Sequence, residues 1–531
     1  MGDRVRTIQH KLKQIAEAVE ATKFQEAALK KHMKYAVNGK DLTGRLPNSI
    51  GNLDSLIILV NVTNGTQNIG RGVGLGRGNA LGNAKHKEHS TSTNSVFMGS
   101  SVKLLNFVGF LLLFLISIFL NGYCTELAED EMGRFDQVMK MIMEYGKSPG
   151  AQLAVSKGGQ LKYFKAFGVA NRETGEPVTT NHVMRYASIS KVFAGTAILK
   201  LVQEGRLTLE DKPFVFLENL EPPRGAIVDK RLLDITIQNL LQHTGGWNRT
   251  ATPDAGRFDV SLYASVSLGS PPPPTPTETI RYIKGLPLDF DPGSAMVYSN
   301  KGYLLLGRVV ENVTGMNYIE YLQKHILQPL GMRGIVLGRS QVEYLEHNEV
   351  RYYGLDGEDI LGVSIFPGQG FVNLSYGYYD VSSADSAGGL VGSAGDIVKF
   401  VDHIDGLRPP AILKADMVSA MLNAPMPEKR SGKGNPLYDH SQGLHVFVSV
   451  DREGKVTSFQ HDGGAPGTST YFMRLMEENI TFAYLLNTSP LQSDFEYAAA
   501  GNLSEVARSI VNWPHHDLNT MQSHLQCSHM H

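Results

Sequence analysis

Between Leu104 and Leu120 the chain reads LLNFVGFLLLFLISIFL, seventeen residues in which Asn106 is the only strongly polar side chain. A helix of this composition has no polar face to offer water, and its length is at the lower limit for crossing a bilayer. The run therefore divides the chain of 531 residues into a short leading part and a long following part that must fold by itself. One reading makes it a signal anchor, with Lys85, Lys87 and Lys103 on the cytosolic side. Another starts the protein at Met98, so that residues 98–124 form a secretory signal peptide ending near Tyr123. Both send the bulk of the chain into the secretory pathway. It would be a single-pass membrane protein held through residues 104–120, with a lumenal or extracellular domain, or a secreted protein. Six sequons after the run, at Asn248, Asn312, Asn373, Asn479, Asn487 and Asn502, fit a glycoprotein. Two others, at Asn61 and Asn64, precede it, and Pro490 weakens the one at Asn487.

Residues 1–97 do not look like a domain. Val5 to Lys34 has the periodicity of an amphipathic helix or hairpin. Leu42 to Leu59 resembles one plant-type leucine-rich repeat, which cannot bury its own face without neighbours. Gly70 to Gly82 lacks a Gly-x-Gly-x-x-Gly register and reads as a flexible linker. The expectation is a disordered or extraneous region. A membrane-tethered receptor would need an ordered domain there.

After the run the picture changes. A net charge of -2 with no basic face argues against a nucleic-acid partner. Two cysteines, Cys124 and Cys527, cannot build a disulfide framework or a cysteine-based zinc site. Stability must come from a core, for which 42% hydrophobic residues suffice. From Glu126 to Trp513 the pattern runs helix (Glu129–Tyr145), strand (Ala151–Val155), strand (Leu161–Val169), with a Lys-Gly-Gly hairpin turn between the strands. A loop-rich middle follows, including the extended proline run Pro271 to Pro276. Four strands (Leu444–Val450, Val456–Gln460, Thr468–Leu475, Ile480–Leu486) and a helix (Tyr497–Val511) close the unit. Helices at both ends around an antiparallel sheet, with a helical middle inserted, make an α+β pattern. The tail 514–531, with His515, His516, His524, Cys527, His529 and His531, lacks acidic partners and regular spacing; it is expected to be flexible and free of metal.

Chemistry concentrates at Ser188-Ile189-Ser190-Lys191, where an extended segment meets an apolar helical stretch. A serine at a helix start with a lysine one turn later brings a hydroxyl, an amine and free backbone N–H groups together. Ser-x-x-Lys also occurs by chance, as at Ser100–Lys103, so the argument needs partners.

Those partners carry a resemblance. Ala187-Ser-Ile-Ser-Lys191 continuing to Leu207, Ile235 to Gly246, Tyr298-Ser-Asn300 and Gly388 to Asp396 occur in that order. Together they resemble the beta-lactamase-related serine hydrolases: class C beta-lactamases, penicillin-binding peptidases, bacterial esterases and animal lactamase-like proteins. The resemblance covers Phe135 to Trp513. It implies a beta-lactamase/transpeptidase-like fold, an antiparallel sheet flanked by helices plus a mostly helical subdomain, with the site between them. It also implies roles. Ser188 is the nucleophile; Lys191 and Tyr298 share base and acid work, with the order of proton transfer left open; Asn300 orients the lysine and the substrate. The family's Lys-Thr-Gly is replaced by His461-Asp462-Gly463, followed by Gly464. The N–H groups of Ser188 and Gly464 would form an oxyanion hole.

The expected activity is hydrolysis of an ester, lactone or peptide bond in a small-molecule or peptide substrate, through an acyl-enzyme and without metal or organic cofactor. A histidine is mostly neutral at pH 7, so His461 offers no fixed charge to a carboxylate, which argues against efficient beta-lactam hydrolysis. The alternative is an inactive family member that binds peptide or forms a scaffold or filament.

Overall fold

A computed structural model of the chain describes residues 131–252, 254–424, 441–492 and 494–518. The readings of residues 1–97, the apolar run 104–120 and the end of the histidine-rich tail lie outside the described residues. The expectation of a single-pass membrane protein is corrected. Among the described residues no helix is long and apolar enough to cross a membrane.

The first helix, α1 (Gly133–Tyr145), buries Phe135, Val138, Met139 and Ile142, which recur at helical spacing on one face. A hairpin of β1 (Gly150–Lys157) and β2 (Gln160–Asn171) follows. Its turn is Gly158-Gly159, both at positive φ, which glycine adopts without a Cβ clash. A short edge strand β3 (Glu176–Pro177) pairs with β2. The helical subdomain contributes α2 (Ser190–Gln203), α3 (Asn300–Thr314) and α4 (Ala394–Ile404). The chain then returns to the sheet through β4 (Ser441–Gln442), β5 (Phe447–Val450), β6 (Val456–Ala465), β7 (Thr468–Leu475) and β8 (Ile480–Leu486). Helix α5 (Phe495–Ser509) ends the unit.

The eight strands lie in the order β4-β5-β6-β7-β8-β1-β2-β3 and every pair is antiparallel. The last strand of the C-terminal meander pairs with the first strand of the domain, Ala151 opposite Leu486. Side chains alternate across the pleat. Leu153, Val155, Phe482, Tyr484 and Leu486 pack with α1 and α5, whereas Ala154, Ala483, Leu485, Phe459 and Phe472 face the helical subdomain. The sheet is thus covered on both faces.

Four expectations change. The strand expected to stop at Gln460 continues to Ala465, so His461 lies within β6 rather than after it. The loop-rich part of the middle contains helices Phe258–Leu268 and Pro276–Lys284. The proline run ends by starting the second of these: Thr275 caps it with Glu278 in a reciprocal box, and Pro276 sits where a missing N–H costs nothing. The first residues of the tail are docked. Asp517 pairs with Arg408 at 3.0 Å, and the His515 and His516 carbonyls accept from Lys162. Asn487 is buried, with its amide bonded to Gly150, Val169 and Arg351, which removes it as a glycan acceptor.

Candidate active site

Ser188 lies in a single 3₁₀ turn, Ala187–Ile189, that runs directly into α2. Ala187 holds φ +47°, a left-handed conformation that costs a residue with a Cβ about 1 kcal/mol and survives because the surroundings fix it. Those surroundings are identifiable. Thr470 Oγ1 on β7 donates to the Tyr186 carbonyl at 3.0 Å, and Thr468 Oγ1 donates to the Arg185 carbonyl at 3.2 Å. The fully buried Arg185 guanidinium donates to Ser375 O at 2.6 Å and Arg339 O at 3.0 Å while stacking over Tyr352. The turn is therefore clamped from the sheet on one side and from segments within 339–376 on the other.

Lys191, one helical turn after Ser188, is fully buried. Its Nζ lies 3.0 Å from Ser188 Oγ and donates to the Ala387 carbonyl. Two rings flank the amine, Tyr298 at 5.0 Å and Tyr303 at 5.7 Å. Ala387 is delivered by a short helix, Asp385–Gly388. That helix is held by a buried ion pair between Asp385 and Arg308 and by Ser386 Oγ donating to Tyr303 O at 2.9 Å. Burial lowers Lys191 to about 7, helped by the charge of Arg249 and opposed by Asp254 and Asp462.

Tyr298 shares a hydrogen bond with Ser188. Desolvation of its hydroxyl, with the Asp462 carboxylate nearby, pushes its phenol well above the ordinary range, so it holds its proton at neutral pH. His461 faces the same space from β6, its ring 6.3 Å from that of Tyr298 and 5.2 Å from that of Phe447. Its Nδ1–H donates to the Asp462 carbonyl at 2.6 Å. Burial, with Lys191 close by, keeps the ring uncharged at neutral pH.

The glycines after His461 have different surroundings. A Cβ at Gly463 would lie 2.3 Å from the Tyr186 carbonyl oxygen and 3.2 Å from the Ser188 nitrogen. Only a glycine lets β6 pass this close to the nucleophile's turn. A Cβ at Gly464 would meet nothing within 4 Å. Asn300 opens α3; its N–H donates to Asp254 at 2.7 Å and its amide donates to Ala255 O at 3.0 Å. Ser188, Lys191, Tyr298 and His461 are thus brought together beside Gly463, while the Asn300 amide nitrogen is engaged with the 254–255 loop and the carbonyl that receives the lysine belongs to Ala387.

Two contributors escaped the sequence reading. His243 stacks on Tyr298 at 4.3 Å and accepts the Ser299 N–H on Nδ1 at 3.1 Å, which fixes the tyrosine from behind. Burial and the neighbouring Lys191 hold this imidazole well below its ordinary pKa, so it is neutral. Its His-Thr-Gly was visible, but only the fold says where it sits. Asp254 caps α3 by accepting the N–H groups of Asn300 and Lys301; it comes from a distant loop, so no local capping signal marks it.

Comparison with known proteins bears on the family and the fold. Residues 135–507 match the family model described as Beta-lactamase. The chain is 30% identical over 283 residues to a putative D-alanyl-D-alanine carboxypeptidase of Escherichia coli O157:H7, covering 50% of this chain and 62% of that protein, less than two thirds of its length. It is 27% identical over 365 residues to penicillin-binding protein 4 of Amycolatopsis lactamdurans, covering 68% of this chain and 86% of that one. Among solved structures, the octameric penicillin-binding protein homologue from Pyrococcus abyssi aligns with a TM-score of 0.53 at 26% identity, over 70% of this chain and 77% of that chain. The match spans the sheet, the Ser-x-x-Lys helix and the helical subdomain, well over half of the sequence, and the chain belongs to the beta-lactamase family of serine hydrolase folds.

Proposed function

We propose that the protein is a serine hydrolase that cleaves an ester or amide bond through an acyl-enzyme on Ser188. The observation that carries this reading is the buried Lys191 amine 3.0 Å from Ser188 Oγ, with its pKa near 7. A lysine at its ordinary pKa is protonated and cannot act as a base; burial brings this one down to about 7, within reach of the neutral amine at neutral pH. Tyr298 stays protonated and is suited to donate rather than accept.

The division of labour follows. Neutral Lys191 takes the Ser188 proton as Oγ attacks the substrate carbonyl carbon. The oxyanion is held by the N–H groups of Ser188 and Gly464. As the bond to the leaving group breaks, the Tyr298 hydroxyl donates a proton to the departing oxygen or nitrogen and regains one from the Lys191 ammonium. Water then attacks the acyl carbon, giving its proton to Lys191, and Ser188 leaves protonated. His461 keeps the wall polar without supplying a charge, which favours substrates other than beta-lactams.

The test is covalent labelling of the protein with a fluorophosphonate, read by intact mass. One adduct is expected, absent in Ser188→Ala. Folded protein that takes up no label would replace this reading with that of an inactive binding or scaffold protein. The pH dependence checks the role of Lys191. The labelling rate should rise about tenfold per unit below pH 7 and level off above it, because the reactive form is the deprotonated lysine. A rate flat from pH 5 to pH 9 would remove Lys191 as the base.

A further inference from the structure

A cavity of about 360 Å³ lies away from the reacting groups; none of Ser188, Lys191, Tyr298 and His461 lines it. Its volume is in the range of small-molecule sites. Two of its lining residues reach the catalytic pair through separate supports. Asp385 starts the short helix whose Ala387 carbonyl receives Lys191, and the Arg339 carbonyl accepts from Arg185, which clamps the turn of Ser188.

The charges around the cavity are not fully matched. Arg308 is only 5% exposed; its Nη2 donates to Asp385 and its Nε lies 3.0 Å from a Glu311 oxygen, but among the described residues its Nη1 has no hydrogen-bond partner. Glu311 is further engaged by the Asn317 amide and the Tyr318 N–H. Arg339 is exposed, and among the described residues no carboxylate pairs with its guanidinium. The helix Pro276–Lys284 begins in the same wall, and the N–H of Thr277 in its first turn has no preceding carbonyl to reach. Pro276, Ile319 and Leu337 add an apolar surface. A helix start and guanidinium forks suit an oxyanion, and the apolar surface suits an organic body attached to it.

We propose that this cavity is a regulatory site for a small organic anion, a carboxylate or a phosphate ester, whose oxyanion bridges Arg308 and Arg339. The bridge cancels the repulsion between the two guanidiniums and ties the support of Lys191 to that of the Ser188 turn, so occupancy speeds acylation. The effect on rate rests on the hydrolase reading; the binding does not.

Binding is measured by calorimetry on the full chain already labelled at Ser188 with a fluorophosphonate, which blocks the cleft. The probes are benzoate, phenyl phosphate and the uncharged benzamide. One equivalent of benzoate or phenyl phosphate is expected to bind at least about tenfold more tightly than benzamide, and the tighter of the two names the anion. Arg339→Ala and Thr277→Asp should each weaken it about tenfold. An aspartate in the first turn suits the helix dipole and keeps the fold, as thermal melts will check, while its charge repels the ligand. On unlabelled protein the bound probe should raise the fluorophosphonate labelling rate about fivefold, the lower end of ordinary coupling between sites, and both variants should lose the rise. Binding no tighter than that of benzamide, or unchanged in both variants, overturns the site. Binding without a rise in labelling rate overturns its regulatory role. If the wild-type protein takes no fluorophosphonate, the hydrolase reading fails by itself, and calorimetry on the unlabelled protein and the same two variants decides the site.

Discussion

Lys191→Met is expected to abolish turnover and, at the same time, to make the protein more stable at pH 7. The lost base should lower kcat by about a thousandfold or more, within the range of general-base contributions and, among the described residues, with no second amine in contact with Ser188 to replace it. The stability gain follows from linkage. The folded-state pKa is about 7 and the ordinary value is 10.5, so between these pH values the unfolded chain holds a proton that the folded one has released. Stability therefore rises with pH across that window, and at pH 7 the lysine costs the fold about 4 kcal/mol relative to alkaline pH, at about 1.36 kcal/mol per unit. Methionine has no proton to lose and a similar volume. It leaves the Ala387 carbonyl without its donor, which takes back about 1–3 kcal/mol. The net expectation is a gain of about 2 kcal/mol at pH 7, shrinking as the pH approaches 10. Urea unfolding of the two proteins at pH 7 and pH 9.5 measures it. A Met variant less stable than wild type at pH 7, or one that retains a tenth of the activity, would show that Lys191 is an ordinary charged lysine.

The second large effect belongs to a residue without a side chain. Gly463→Ala should lower acylation of Ser188 about a hundredfold and destabilise the fold by about 1–3 kcal/mol, because the new methyl group must displace either β6 or the turn bearing the nucleophile. Its neighbours would include the Tyr186 carbonyl oxygen at 2.3 Å, a backbone atom that cannot rotate away. Gly464→Ala is the comparison for folding: its methyl group meets nothing within 4 Å, and stability should stay within about 0.5 kcal/mol. Fluorophosphonate labelling rates and thermal melts separate the two effects. A Gly463→Ala protein that labels and melts like wild type would mean that β6 does not constrain the nucleophile.

Much of the frame was legible because it is local. The apolar spacing of Phe135, Val138, Met139 and Ile142 is a property of thirteen consecutive residues. The short strand-forming runs of β1, β7 and β8 and the double-glycine turn after Lys157 are equally short-range. Helix Pro276–Lys284 was missed because the prolines before it read as extended chain, while the Thr275–Glu278 box that starts it is a weaker signal. β6 was cut short at Gln460 because glycines normally end strands; here the strand runs on through Gly463, where the nucleophile's turn packs too close to admit a Cβ.

By itself, the sequence determined which residues could react: Ser188 and Lys191 one helical turn apart, Tyr298 and Asn300 in order behind them, and His461-Asp462-Gly463 after a late strand. Helical pitch alone places Ser188 next to Lys191, since four residues of chain span one turn. It could not determine their state. The proton on Lys191 is governed by burial under Tyr298, Tyr303 and Ala387, from segments 107 to 196 residues away in sequence, and no local pattern encodes that convergence. The same holds for His243 behind Tyr298 and Arg249 above it. A pKa depends on the dielectric and charges within a few ångströms in space, and only the tertiary structure decides what those are.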